Sequence, residues 1–237
     1  MEGILIVNKP SGWTSFDVVA KIRNLSRVKK VGHSGTLDPM ATGVLPVFLG
    51  KATKSIKYFL EGDKGYQGEM VLGVTTDTLD AEGQIKSEIP KSEIRIDEET
   101  ILKVFKKYTG EIDQVPPMYS AKKIKGKRLY ELAREGKVIE RQPRKVTIHQ
   151  LELNKFDLPK VTFEVFCSKG MYVRQLVSDI GDDLGTGAHL SKLRRIYAQP
   201  FHISQAINMD TIITLAKVGK LDTILLKVEN FLHYDRK

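Results

Sequence analysis

The sequence predicts an α+β fold built on a mixed, largely antiparallel sheet. Three observations carry that expectation. Apolar runs of strand length and apolar stripes of helical period both occur in the chain. They do not alternate as regular βαβ units. The two segments that alternate best, Val146–Leu153 and Lys160–Cys167, follow each other closely enough to pair as neighbouring strands.

The elements follow in order. Gly3–Val7 is a short apolar strand that ends in the turn residues Asn8 to Gly12. Ser15 is placed to cap a helix carrying Val18, Val19, Ile22 and Leu25 on one side. Val31–Gly43, rich in Gly, Ser, Thr and Pro, reads as a loop. Val44–Leu49 reads as a buried strand, Ala52–Leu60 as a short helix and Tyr66–Val74 as a strand. Thr75–Gly83 has turn composition. Asp97 or Thr100 starts a helix that runs through Tyr108 and stops at Gly110. The paired prolines of Gln114–Ala121 exclude a regular helix there. Arg128–Glu135 suits a helix, and Met171–Leu184 is the clearest one, with Val173, Leu176, Val177, Ile180 and Leu184 in a single stripe. No repeat, low-complexity tract or flexible linker interrupts the 237 residues, so one continuous domain is expected.

Composition removes several classes of function. The single Cys167 cannot form an internal disulfide, and no Cys/His cluster has zinc-ligand spacing. No run of about 18 apolar residues exists to span a membrane. The start of the chain reads as a strand and not as a signal peptide. The expected compartment is the reducing cytoplasm. The net charge is +9, and it is segregated. Lys122–Lys145 holds ten basic and three acidic residues, whereas Thr75–Thr100 holds eight acids and three bases. No acid lies between Asp17 and Asp38. Segregated positive charge of this kind suits a polyanion-binding surface.

The densest segment is Gly32–Pro46, in which three glycines and two prolines surround His33 and Asp38. From residue types alone, Asp38 is either the side-chain cap of a tight surface loop or a carboxylate nucleophile. Ser34 beside His33 does not form the G-x-S-x-G elbow of serine hydrolases. The glycines match neither a P-loop nor a dinucleotide fingerprint.

Read as GHSGTLDPMATGVL, this segment resembles the catalytic-loop motif of the bacterial TruB-type tRNA pseudouridine-55 synthases. The resemblance continues in order along the chain. It takes in IVNKPSGWTS at Ile6–Ser15, K-x-Y and T-D-T-x-D-x-x-G within Lys64–Gly83, and Q-x-P-P-x-Y-S-A-x-K from Gln114. It then covers the helix beginning near Cys167 and L-x-x-L-R-R at Leu190–Arg195. Met171 stands where the family has Thr. The resemblance implies a pseudouridine synthase fold with residues 114–145 as an inserted basic RNA-binding thumb. It also implies that the small C-terminal RNA-binding domain of longer relatives is absent or truncated here. The implied reaction isomerises uridine in the TΨC arm of tRNA, with no cofactor, no metal and no obligate protein partner, by a monomer. Asp38 matches the catalytic aspartate, which attacks either ribose C1′ or uracil C6, and Arg174 matches the cation that pairs with it. Tyr66 matches the residue that stacks on the uracil and handles the C5 proton. Tyr172 and Leu193 line the uracil site, His33 holds the T-loop open, and Asp80, with Asp77 as competitor, lies near the flipped nucleotides. Lys9, Lys122, Lys123, Lys125, Lys127 and Arg128 are the expected RNA-binding cations. Guide-RNA-dependent synthases and RNA-folding modules are the competing classes.

Overall fold

The computed structural model describes residues 1–120, 123–124, 127–128, 136–137 and 139–231. In chain order the elements are β1 (Gly3–Lys9), α1 (Ser15–Ser26), β2 (Val31–His33), β3 (Thr42–Leu49), α2 (Ile56–Leu60), β4 (Lys64–Leu72), β5 (Val74–Thr76), β6 (Ile85–Glu88), α3 (Glu98–Tyr108) and β7 (Gly110–Gln114). There follow β8 (Lys123–Ile124), β9 (Lys127–Arg128), β10 (Arg144–Asp157), β11 (Lys160–Cys167), α4 (Val173–Asp183), β12 (Ala188–Ala198), β13 (Phe201–His202), β14 (Ile207–Asn208) and α5 (Met209–Lys217). They form two compact units, residues 1–67 with 193–237 and residues 68–192. No linker joins them, because the chain passes from one to the other inside β4 and inside β12.

The first unit is the mixed one. β1 runs antiparallel to β3 over its whole length and parallel to the short β14, while β12 meets β3 in parallel. Ile4, Ile6, Val44, Phe48, Phe59, Ala198 and Phe201 form its core, with the Phe59 and Phe201 rings stacked 5.4 Å apart. β3 is buried on both faces, which explains why TGVLPVFL reads as a near-continuous apolar run. Helix α1 starts one residue earlier than expected. Thr14 caps it by accepting from the Asp17 amide, and Asp17 answers on the Thr14 amide, a reciprocal capping box. Ser15 is thereby released for another task. The expected loop Val31–Gly43 contains the three-residue strand β2, which pairs with β3, and gives up Thr42 and Gly43 to β3 itself. Its glycine and histidine content hid a strand whose register is set by β3. The expected helix over 52–60 is a 3-10 segment, Gly50–Ser55, before α2.

The second unit has the strand order β4-β11-β10-β7, in which β10 runs antiparallel to β7 and, as the alternation predicted, pairs antiparallel with β11. Asp97, not Thr100, caps α3. The apolar face of that helix includes Phe105, whose ring meets Phe163 of β11 edge-on at 6.3 Å. Two residues of the expected turn 75–83, Thr75 and Thr76, pair instead with β6. Helix α4 starts where its apolar stripe starts, two residues later than the expected Met171, because Tyr172 occupies the N-cap. Of the helix expected over 128–135, Arg128 lies in β9 and 129–135 falls outside the described residues.

Candidate active site

Asp38 sits in the loop between β2 and β3, and the first unit fixes that loop from several sides. Lys9, at the end of β1, is fully buried and donates through Nζ to the carbonyls of Pro10, Trp13 and Pro39, the last at 3.0 Å. Ser15 is 2% exposed. Its hydroxyl accepts from the Leu37 amide at 2.9 Å and donates to the Leu37 carbonyl at 3.2 Å, clamping the residue before Asp38. The Gly12 amide donates to the Pro39 carbonyl, and the Ala41 amide closes a turn on the Asp38 carbonyl at 3.1 Å. Such backbone pinning fixes where the loop presents its carboxylate.

The far side of the loop rests on Arg195. This residue is 1% exposed and donates from Nε to the Val44 carbonyl at 2.7 Å and from Nη2 to the Gly35 carbonyl at 3.0 Å. It also hydrogen-bonds the side chain of Tyr66, itself 8% exposed on β4. Gly43 makes this approach possible. With φ at +99°, it lies opposite Arg195 in the parallel pair, where a Cβ would fall 2.2 Å from the Arg195 carbonyl oxygen. His33 is close enough to Arg195 to feel its charge. Burial first and Arg195 second push its imidazole below the ordinary range, against an opposing pull from the Gly35 carbonyl, so it is neutral at pH 7. Leu193 is half-buried on the same strand as Arg195.

The second unit holds a separate polar cluster. Arg174, in the first turn of α4, is 5% exposed. It donates from Nη1 to the Thr78 carbonyl at 3.3 Å and from Nη2 to the Tyr119 carbonyl at 2.5 Å. Its Nη1 lies 4.0 Å from Oδ2 of Asp80, whose carboxylate also accepts the Thr78 hydroxyl at 2.6 Å and the Glu82 amide at 3.1 Å. Asp77 faces elsewhere, accepting the Gln84 amide and the Tyr119 hydroxyl. Within this unit it is therefore Asp80, not Asp77, that stands beside Arg174. Gln114 is fully buried and grips the Tyr172 backbone through both its amide atoms, at 2.8 and 3.1 Å. The guanidinium carbons of Arg144 and Arg174 lie 4.7 and 5.9 Å from the centre of the Tyr172 ring.

A pinned aspartate-bearing loop, a buried arginine on a helix and the motif order point to one protein family. The family model described as "TruB family pseudouridylate synthase (N terminal domain)" matches residues 23–173, and "tRNA pseudouridylate synthase B C-terminal domain" matches residues 174–233. A relative named tRNA pseudouridine synthase B from Syntrophotalea carbinolica is 46% identical over 99% of this chain and 76% of its own length. One of the same name from Clostridium tetani is 49% identical over 90% of this chain and 73% of its own. The chain belongs to the TruB family of pseudouridylate synthases. Its fold also matches the crystal structure of a Cbf5-Nop10-Gar1 complex, with a TM-score of 0.76 and 29% identity over 97% of this chain and 61% of that one.

For a TruB family member, the structure divides the expected site residues between the units. Asp38, His33, Tyr66 and Leu193 fall in the first; Asp80, Tyr172 and Arg174 fall in the second. Lys9, expected among the RNA-binding cations, has no exposed surface and three carbonyls on its ammonium, and in this structure it holds the Asp38 loop. Lys122 and Lys125 lie outside the described residues, as do the side chains of Lys123, Lys127 and Arg128. Sequence reasoning missed Arg195, Gln114 and Arg144. The doublet Arg194-Arg195 inside a strand was the available signal, since alternate residues face opposite sides and Arg195 is the buried one.

Proposed function

We propose that this protein isomerises uridine-55 in the TΨC arm of tRNA to pseudouridine. The observation that carries the reading is the Asp38 loop: in a TruB family chain, one aspartate is held between a buried lysine, a buried serine and a buried arginine. Asp38 acts as the nucleophile at ribose C1′ or uracil C6. The glycosidic bond breaks, the uracil turns, and a C5–C1′ bond forms. C5 gives up one proton and N1 takes one, so the reaction needs no outside reagent. Arg174 is the cation of the reaction, and within its own unit Asp80 and the Thr78 and Tyr119 carbonyls orient that guanidinium. Tyr66, Tyr172 and Leu193 receive the extruded base, His33 fills the opened T-loop, and the basic 122–145 segment meets phosphates. The protein works as a monomer in the cytoplasm without a guide RNA. Among the described residues no helix is long and apolar enough to cross a membrane.

The test uses an unmodified tRNA transcript and the protein alone. Carbodiimide labelling read by reverse transcription should give a stop at position 55 and none in a transcript with cytidine there. A requirement for a guide RNA or a second protein would favour the ribonucleoprotein reading that the likeness to the Cbf5 complex raises.

A further inference from the structure

We propose that Arg195 is the positioning residue for Tyr66, setting its phenol oxygen to take the proton released from uracil C5. This rests on the function proposed above, in which Tyr66 touches the uracil. The geometry is that of a charge built into the core. Arg195 is among the largest fully buried side chains, and no carboxylate among the described residues pairs with it. The Val44 and Gly35 carbonyls satisfy Nε and Nη2 at 2.7 and 3.0 Å, but they carry no net charge. A buried cation met only by dipoles is costly, and the cost falls when a neighbour becomes anionic. The Tyr66 side chain hydrogen-bonded to it is such a neighbour.

The backbone is shaped to admit this guanidinium. Gly43 could not carry a Cβ without striking the Arg195 backbone, and a Cβ on Gly35, where φ is +82°, would lie 3.3 Å from Nη1. Gly35 belongs to the loop that carries Asp38 and Gly43 to the start of β3 just after it, so the arginine joins the nucleophile's loop to Tyr66. The other titratable groups that the structure sets beside the arginine are Lys64 and His33. Lys64 Cε is 3.8 Å from the same Cβ position on Gly35 and its ammonium donates to the Gly62 carbonyl. His33 is kept neutral, so it adds no second positive charge.

The proton balance is closed. The phenol loses its proton to solvent, and the phenolate takes the C5 proton as the C5–H pair returns to the ring. The freed N1 takes a proton from solvent. Tyr66 ends as the phenol it began as.

Tyrosinate absorbance, titrated in the RNA-free protein and differenced against Tyr66→Phe, reads Tyr66 directly. In Arg195→Met the Tyr66 titration should move up by about one pH unit or more, and Arg195→Lys should restore part of the shift. In single-turnover assays at saturating tRNA, the limb on which the rate rises with pH should move with it, while KM changes by less than about threefold. Thermal melts establish that the variants fold; if Arg195→Met does not, Arg195→Lys against wild type gives the same comparison on a smaller scale. A Tyr66 titration unmoved in folded variants, with turnover intact, overturns the proposal alone. A wild type that forms no pseudouridine overturns the function, and this proposal with it.

Discussion

Lys9 has no exposed surface, and it shows what a sequence conceals at the scale of one residue. Composition cannot distinguish a buried lysine from a solvated one, so a basic residue in a motif of an RNA enzyme reads as a phosphate contact. Only the three carbonyls around Nζ reveal that it ties β1 to the Asp38 loop. Arg195 was hidden for the same reason. Asp38 was singled out by the motif around it, since its residue types alone left a loop cap and a nucleophile both open. Lys9→Met should leave three buried carbonyls without their donor and cost roughly 3–5 kcal/mol of stability. The melting temperature should drop by about 6 °C or more for a chain of this size. The slope of log affinity for tRNA against log salt should stay where it is, because no phosphate contact is lost. A slope reduced by about one with an unchanged melt would return Lys9 to the RNA surface.

At the scale of elements, legibility followed the source of each element's stability. Helix α4 and the β10–β11 pair were visible because their own side-chain period decides which face is buried. Strand β2 was invisible because its partner β3 decides its conformation. The cap of α1 was misplaced by one residue because Thr14 and Ser15 are both good caps, and only the reciprocal bond from Asp17 separates them. Helix α4 also carries a liability at its C-terminal half, where Asp179, Asp182 and Asp183 oppose the helix dipole. Burial raises the Asp179 carboxyl above the ordinary range, and Asp182 and Asp183 add to this, against a hydrogen bond from Gln175 that lowers it. The fold therefore disfavours the ionised form. The stability tied to this group is complete below the ordinary carboxylate value of 3.8 and is lost as pH rises through the raised folded value. Asp179→Asn, which keeps an acceptor for Gln175, should raise the melting temperature at pH 7 by a degree or more. That gain should vanish below about pH 4. Equal gains at both pH values would mean that charge is not the cause.

At the scale of the whole molecule, the charge segregation visible in the sequence assigns the work. Lys122–Lys145 carries a net +7 against a total of +9. Neutralising several of Lys122, Lys123, Lys125, Lys127 and Arg128 should raise KM and flatten the salt dependence, each lost phosphate contact removing a little under one from the log–log slope. Turnover at saturating tRNA should change less, since Asp38 and Arg174 are untouched. A collapse of turnover at an unchanged slope would make the segment part of the catalytic pocket. The division of the chain into two units, by contrast, was not legible, because the passages between them lie within strands and leave no linker composition to read. The central proposal is that Asp38 drives isomerisation of one uridine in the T-arm. Tritium release from C5-labelled uridine in unmodified tRNA tests this most directly, run on wild type and Asp38→Asn side by side with tRNA binding measured on both. Wild type should release one equivalent per tRNA and Asp38→Asn none, with affinities within about tenfold, or about 1.4 kcal/mol. Release by Asp38→Asn at a rate near wild type would contradict that proposal.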